Sequence, residues 1–282
     1  MIILVALLAG LVTGRLLWIG LHHAFQSSVF LRTNYAGHVV PTAVGVVLPL
    51  SLLAVEAGRT ALGAAGVGTP GSALLRTGTL IAVLGFSLLG LLDDLAGDGS
   101  TRGFRGHIDA LGRGRLTTGG AKLIGGGLVA AIAASAAGPV GFREYVVDVL
   151  LVALAANLAN LFDLRPGRVG KISLIAFVVL IIASRGAASL SGVAVVVGAG
   201  LGLLLDDVRE RLMLGDVGSN AIGAALGVGV IISVGAQARL ITLIVLMALN
   251  VASEFVSFSK LFESFFALRA FDALGRRTPR SE

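Results

Sequence analysis

The chain contains no cysteine, and charged residues make up only 13% of its 282 positions. The absence of cysteine excludes a disulfide framework, a thiolate metal site and a cysteine nucleophile. The scarcity of charge, with 56% hydrophobic residues and a mean hydropathy of +0.94, excludes an ordinary soluble globular protein. The composition therefore predicts a protein that is embedded in lipid.

Apolar runs separated by polar clusters indicate about nine membrane-spanning helices, each close to the roughly 20 residues that a bilayer requires. The first run has no basic region before it and no clear cleavage pattern after it, so we interpret it as a retained span. We expect spans near 2–21, 40–57, 76–92, 121–138, 145–162, 171–184, 188–205, 220–236 and 238–257. The predicted fold is an all-α polytopic membrane helix bundle, with one transmembrane domain over 1–257 and a basic cytoplasmic tail over 258–282.

Lysine and arginine are distributed unequally between the two sides of these spans. If the segment after the first span is cytoplasmic, sixteen of the 22 lie inside, five lie outside, and Arg15 lies within the first span. Positive residues are retained on the cytoplasmic side, so we expect an external N-terminus and a cytoplasmic C-terminus in the inner, cytoplasmic membrane. We expect membrane lipid and anionic substrates as partners and no nucleic acid. The 40 glycines favour close helix packing and permit a homodimer without requiring one.

Carboxylates are concentrated at the predicted cytoplasmic ends of the spans. Ionised groups at a membrane boundary are costly unless they are paired, hydrated or bound to metal, so several on separate helices predict a shared site. Any single one of them could instead be a solvated helix end. A set of oxygen ligands without histidine or cysteine suits Mg²⁺, whose coordination shell is often completed by substrate phosphates. The acids concerned are Asp93, Asp94, Asp163, Asp206, Asp207 and Asp216.

Two local patterns accompany these acids. The string Gly215-Asp216-Val217-Gly218-Ser219 places an acid between glycines before a helix, where backbone N–H groups can meet a phosphate. In the fifth span, the polar residues at 157, 160 and 163 are three positions apart, so they share one stripe of the helix. The alternative for the two asparagines in this stripe is hydrogen bonding to neighbouring helices.

The order of these motifs resembles one family, the polyprenyl-phosphate N-acetylhexosamine-1-phosphate transferases of glycosyltransferase family 4, which includes phospho-N-acetylmuramoyl-pentapeptide transferase. The resemblance covers roughly residues 30–257 and suggests a diverged, shortened member. The matching pieces are V-P-T-A-V-G at 40–45, L-L-D-D at 91–94, Lys122, N-L-A-N-L-F-D at 157–163 and L-G-D-V-G-S at 214–219.

The resemblance implies Mg²⁺-dependent transfer of a sugar-1-phosphate from a UDP-sugar to polyprenyl (undecaprenyl) phosphate, with release of UMP, in cell-envelope polysaccharide or peptidoglycan synthesis. Mn²⁺ is an alternative metal. The resemblance also implies that Asp216 and Asp94 are metal ligands. It implies that one of Asp93 and Asp94 holds or deprotonates the lipid phosphate. The implied catalytic residues are Asp93, Asp94 and Asp216, and the expected substrate-binding residues are Lys122, Asn157, Asn160, Asp163, Arg165, Arg168, Gly215 and Ser219.

The chain also departs from the family pattern. Phe162 replaces a threonine, Pro166 replaces a second aspartate, and the usual histidine motif and tenth span are missing. Arg165 and Arg168 appear instead, either to bind the donor through paired hydrogen bonds or to act only as positive-inside anchors. Two other functional classes stay open: a polyprenyl-phosphate-binding or scaffolding protein without catalysis, and a small cation-coupled transporter.

Overall fold

The computed structural model describes residues 1–67, 73–96 and 118–276, and these are almost entirely helical. The described part contains nine long helices followed by two short ones. The long helices are α1 Ile2–Leu21, α2 Val47–Ala64, α3 Ala73–Ala96, α4 Thr118–Ser135, α5 Phe142–Phe162, α6 Arg168–Ala183, α7 Ser191–Val208, α8 Gly215–Ser233 and α9 Ala236–Phe255. The short helices are α10 Phe258–Ser264 and α11 Phe266–Ala273.

Each predicted span overlaps one of the long helices, and seven of the described helices are long and apolar enough to cross a membrane. The two long helices outside this set are α4 and α6, and α6 has only 16 residues. The chain is thus a multi-pass membrane protein, whereas nine crossings and the inside–outside orientation stay predictions. Several cations counted for that orientation, in 97–117 and 277–282, lie outside the described residues.

The described residues agree with the predicted all-α class, to which they add a short β-hairpin between α1 and α2. Strand β1, Leu31–Thr33, pairs antiparallel with β2, Val39–Pro41, so that Leu31 lies opposite Pro41. The Asn34 side chain accepts hydrogen bonds from the N–H groups of Ala36 and His38 at 3.0 and 2.9 Å and stabilises the connection. The predicted second span therefore began too early, because residues 40 and 41 belong to a strand that is also apolar.

The centre of the bundle is formed by α7 and α8, in which 72% of each span window is buried, against 17% in α1 and 6% in α9. Glycine allows α1 and α7 to pack backbone to backbone. A Cβ atom at Gly14 would lie 2.8 Å from the Cα atom of Ala199. This contact agrees with the predicted role of glycine in helix packing.

The odd-numbered long helices end, and the even-numbered ones begin, at the same end of the bundle, which we call the site end. The hairpin and the loops after α5 and α7 lie there too, since the Met213 N–H donates to the Pro41 carbonyl at 2.7 Å. The short helices also pack at this end, where the rings of Phe162 and Phe258 stack with centroids 5.0 Å apart.

Candidate functional site

The site is organised around Asp216, the second residue of α8. Its carboxylate accepts a hydrogen bond from the Lys122 ammonium of α4 and one from Asn160 Nδ2 of α5 at 3.1 Å. One turn further along α8, the Ser219 hydroxyl donates to Asn160 Oδ1 at 3.2 Å. The Asn160 amide oxygen therefore lies beside the Ser219 hydroxyl, and its NH₂ group faces the acid.

Asp94, near the end of α3, caps the start of α8. Its two carboxylate oxygens accept the backbone N–H groups of Asp216 and Val217, both at 3.0 Å. Gly215 has φ +74°, and a Cβ atom there would lie 2.5 Å from Asp94 Oδ2, so the close approach requires glycine. These two N–H groups are therefore bound by the Asp94 carboxylate and are not free to meet a phosphate.

Asp93 occupies a different environment from its neighbour. One of its oxygens lies 3.8 Å from the Lys122 Nζ, and its carboxyl group is within hydrogen-bonding reach of Asp216. Its side chain is 29% exposed, so a substrate can reach it. Asp93, Lys122 and Asp216 consequently form the accessible part of the cluster, whereas Asp94 supports it from the helix terminus.

The donors around Asp216 are carboxylate oxygens, the ligand type that Mg²⁺ prefers. Among the described residues there is no group of three or more His, Cys, Asp or Glu side chains that could hold a metal ion. Mg²⁺ is commonly bound by one or two carboxylates, with the remaining positions taken by water and substrate phosphates. Asp216 and Asp93 match that protein contribution, and the geometry favours Asp93 over Asp94, whose oxygens already accept backbone hydrogen bonds.

A pocket of about 140 Å³ lies beside Asp216, between the hairpin and the loops after α5 and α7. Asp163 and Arg165, both predicted from the sequence, line it. Its other polar lining residues are Asn34, Tyr35, Thr42, Asp207 and Glu210. The sequence did not indicate three of these residues, Asn34, Tyr35 and Glu210. No pattern in a short hairpin or in a charged loop predicts that the hairpin and the loop lie together.

Glu210 joins the hairpin to the loop after α7. It accepts hydrogen bonds from Tyr35 Oη at 2.9 Å and Asn34 Nδ2 at 3.2 Å. Burial, together with the hydrogen bond to Glu210 and its negative charge, raises the pKa of Tyr35, so this phenol stays a hydrogen-bond donor. The Arg165 guanidinium lies over the Tyr35 ring, 4.6 Å from its centroid, and completes this wall of the pocket.

Negative charge accumulates around Asp163, which directly follows α5. Burial, followed by the negative charges of Asp207, Asp216 and Asp94, raises the pKa of Asp163 well above its usual value of 3.8. A carboxyl group in this position favours either a proton or a nearby cation. The predicted proximity of Asp163 to Asp216 is therefore present in the structure.

Two predicted site residues are engaged elsewhere. Asn157 donates to Asn250 Oδ1 of α9 at 2.7 Å, which confirms the interhelical alternative for this asparagine. Arg168 is fully buried and donates two hydrogen bonds of 2.9 Å to Asp272. The structure favours an internal role for both residues over direct contact with a substrate.

An apolar crevice of about 340 Å³ lies between α5, α6, α8 and α9. Its lining is almost entirely aliphatic and includes Leu158, Leu180, Leu226 and Leu246. Phe162 also lines the crevice, and the next residue, Asp163, lines the polar pocket. Adjacent residues at the end of α5 therefore line the two cavities.

The fold and the site together define a multi-pass membrane protein with an acidic cluster at one end of its bundle. No protein-family model matches the chain, and no curated protein matches it significantly. Its functional assignment consequently rests on the motifs and on the geometry of the described residues.

Proposed function

We propose that the chain is a Mg²⁺-dependent transferase that moves a sugar-1-phosphate from a UDP-sugar to a polyprenyl phosphate at the cytoplasmic face of the cell membrane. It would be a diverged relative of the polyprenyl-phosphate N-acetylhexosamine-1-phosphate transferases. The observation that carries this proposal is the meeting of Asp93, Lys122 and Asp216, which come from three different helices. These residues are distant in sequence but lie together in the structure. They combine carboxylates with an ammonium group, which are the charged groups that phosphoryl transfer requires.

In this reaction an oxygen of the lipid phosphate attacks the β-phosphorus of the UDP-sugar. The bond from that phosphorus to the bridging oxygen breaks, and UMP leaves. When bound, Mg²⁺ neutralises the charge of the diphosphate. Catalysis of this kind depends mainly on positioning and electrostatic stabilisation, and these are the tasks that the cluster can perform.

The residues divide these tasks according to their contacts. Lys122 lies between two carboxylates and can share its protons with an incoming phosphate. Asn160 holds one oxygen of Asp216 and leaves the other for a ligand. Asp93, whose side chain is 29% exposed, would hold or deprotonate the lipid phosphate if it does not bind Mg²⁺ together with Asp216.

The apolar crevice supports a lipid acceptor. A polyprenyl chain requires an aliphatic environment, whereas its phosphate requires the polar cluster. The crevice reaches Phe162, adjacent to Asp163 and two residues after Asn160, so a chain in the crevice would bring its phosphate towards the acids. The transporter alternative is less favoured, because Asp94 and Asp216 lie within one helical turn of the ends of α3 and α8.

The test is product formation by the purified protein in lipid nanodiscs. Undecaprenyl phosphate, Mg²⁺ and each of a panel of UDP-sugars are supplied, and UMP and the polyprenyl-diphosphate sugar are detected by mass spectrometry. We expect product with at least one donor and none after chelation of Mg²⁺. Binding of undecaprenyl phosphate without product from any donor would reject catalysis and favour the lipid-binding alternative.

A further inference from the structure

The segment 256–276, which contains α10 and α11, presents two chemically different faces. It follows α9, a helix able to cross the membrane, after a break at residues 256 and 257. Its start is therefore held at the level of the lipid boundary. We call the face towards the bundle the inner face and the opposite one the outer face.

The inner face is fixed by aromatic packing and buried charge. Phe258 and Phe262 are each 7% exposed, and Phe262 lies under the Arg168 guanidinium, 4.5 Å from it. Arg168 binds both oxygens of Asp272. Burial alone would raise the pKa of Asp272, but the hydrogen bonds and charge of Arg168 outweigh it and lower the pKa.

The last turn of α11 is held by a second cation. Lys171 Nζ donates to the backbone carbonyls of Phe271 and Asp272 at 2.9 and 2.8 Å. A cation at a helix C-terminus satisfies carbonyls that have no partner within the helix. Arg168 and Lys171 therefore hold the segment against the start of α6.

The outer face carries large apolar side chains with no protein cover. Phe266 is 77% exposed and Phe265 is 57% exposed. Phe255, which precedes the segment, is 83% exposed, and Leu274 is 67% exposed. These side chains continue the lipid-facing surface of α9, of whose span window only 6% is buried.

The charges of the segment are sorted between the two faces. Its described acids are bound by the protein: Glu263 pairs with Arg165 at 2.9 Å, and Asp272 pairs with Arg168. Lys260 and Arg269 are exposed. Within the described part of the chain, neither of these cations has an acidic partner. Exposed phenylalanine beside such cations is the composition of helices that lie in a membrane interface with anionic headgroups.

We propose that segment 256–276 is a membrane-surface latch, whose outer face binds the anionic phospholipids of the leaflet on the side of the candidate site. Its inner face connects that contact to the loop after α5, because Arg165 binds Glu263 and also lines the pocket. The latch needs no catalytic activity, so it is independent of the proposed function.

The absence of native cysteine permits a direct test. Ala267, exposed in α11, is changed to Cys and labelled with an environment-sensitive fluorophore in nanodiscs of phosphatidylcholine, with or without phosphatidylglycerol. We expect a blue shift and quenching by lipids with brominated acyl chains, both larger with phosphatidylglycerol. Each cation near an anionic surface contributes roughly fivefold to binding, so Lys260→Gln with Arg269→Gln should lower the docking equilibrium roughly 25-fold.

A matched variant controls for net charge. Arg32→Gln with Arg143→Gln removes the same two charges from exposed positions outside the segment and should leave the fluorescence unchanged. Phe265→Ser with Phe266→Ser should reduce quenching in both lipid mixtures. Equal quenching with and without phosphatidylglycerol, or a wild-type response from the Lys260 and Arg269 double variant, would overturn the proposal.

Discussion

The two ends of the bundle differ in how their buried charge is balanced. Away from the site end, acids and arginines form closed pairs: Glu56 lies 3.1 Å from Arg76, and Asp148 lies 3.0 Å from Arg239. The site end also has a closed pair, Arg168 with Asp272, but it holds in addition an open group of acids. At the site end, Asp93, Asp94 and Asp216 gather around the single ammonium group of Lys122.

This difference separates structural charge from functional charge. A closed pair needs nothing from outside the chain, and removing one partner leaves the other buried and unpaired. A cluster with more carboxylates than cations needs a proton, a metal ion or a ligand to balance it. The imbalance at the site end is the physical basis for proposing that a divalent cation and phosphates bind there.

The largest expected effect is on the transfer rate, which should respond differently to substitutions at the two ends of the bundle. Asp216→Asn removes the charge at the centre of the open cluster and should lower the transfer rate by about a thousandfold, or about 4 kcal/mol of transition-state stabilisation. Asp148→Asn should leave the rate per folded molecule unchanged. Steady-state UMP release, normalised to folded protein, measures both, and equal losses in the two variants would remove the distinction.

The converse experiment measures stability. The Asp148 side chain is completely buried, so Asp148→Ala leaves Arg239 without its main partner and should cost about 3 kcal/mol. Asp216→Asn should not lower stability, because it relieves repulsion between acids. Reversible unfolding in detergent mixtures gives the free energies, and a stable Asp148→Ala protein would show that the closed pair is dispensable.

Within the site, the adjacent acids should behave differently. Asp94→Ala removes the cap of α8 and should cost about 2 kcal/mol of stability, since two hydrogen bonds to a carboxylate are lost. Asp93→Ala should preserve stability and lose activity instead. Thermal unfolding of the two variants under identical conditions is the measurement, and the reverse order of stabilities would exchange their roles.

A pH series tests the charge of Asp163. Since its pKa is raised on folding, its proton stabilises the folded state most below the unfolded value of 3.8. That contribution is lost as the pH rises from there through the folded pKa. Without Mg²⁺, Asp163→Asn should therefore gain stability over wild type as the pH rises through this window. Parallel stability curves for the two proteins would contradict the predicted raised pKa.

The smallest effect concerns Arg165, whose partner Glu263 is 58% exposed, so their pair is worth less than about 1 kcal/mol. If Arg165 only supplies a positive charge on the cytoplasmic side, Arg165→Lys should have the donor KM of the wild type, whereas the KM of Arg165→Ala should differ slightly. If it binds the donor through two hydrogen bonds, both variants should raise KM. The structure favours the first outcome, because the guanidinium already contacts Tyr35 and Glu263.

The apolar runs were sufficient to place every long helix, because a helix in lipid needs about 20 apolar residues wherever it occurs. They were insufficient for the hairpin, whose strand Val39–Pro41 is as apolar as the span that follows. The acids at helix ends predicted the cluster around Asp216. Only the structure could distinguish the role of Asp93 from that of its neighbour Asp94. It was also needed to show that Arg168 pairs with Asp272, because these residues are 104 positions apart and leave no local sequence signal.

The central claim is that the open acidic cluster binds a divalent cation and the closed pairs do not. Titration with Mn²⁺, followed by electron paramagnetic resonance with and without pyrophosphate, measures this directly. We expect one site in the wild type that tightens with pyrophosphate, is lost in Asp216→Asn and persists in Asp148→Asn. No bound Mn²⁺ in the wild type under either condition, or equal binding by Asp216→Asn, would contradict it.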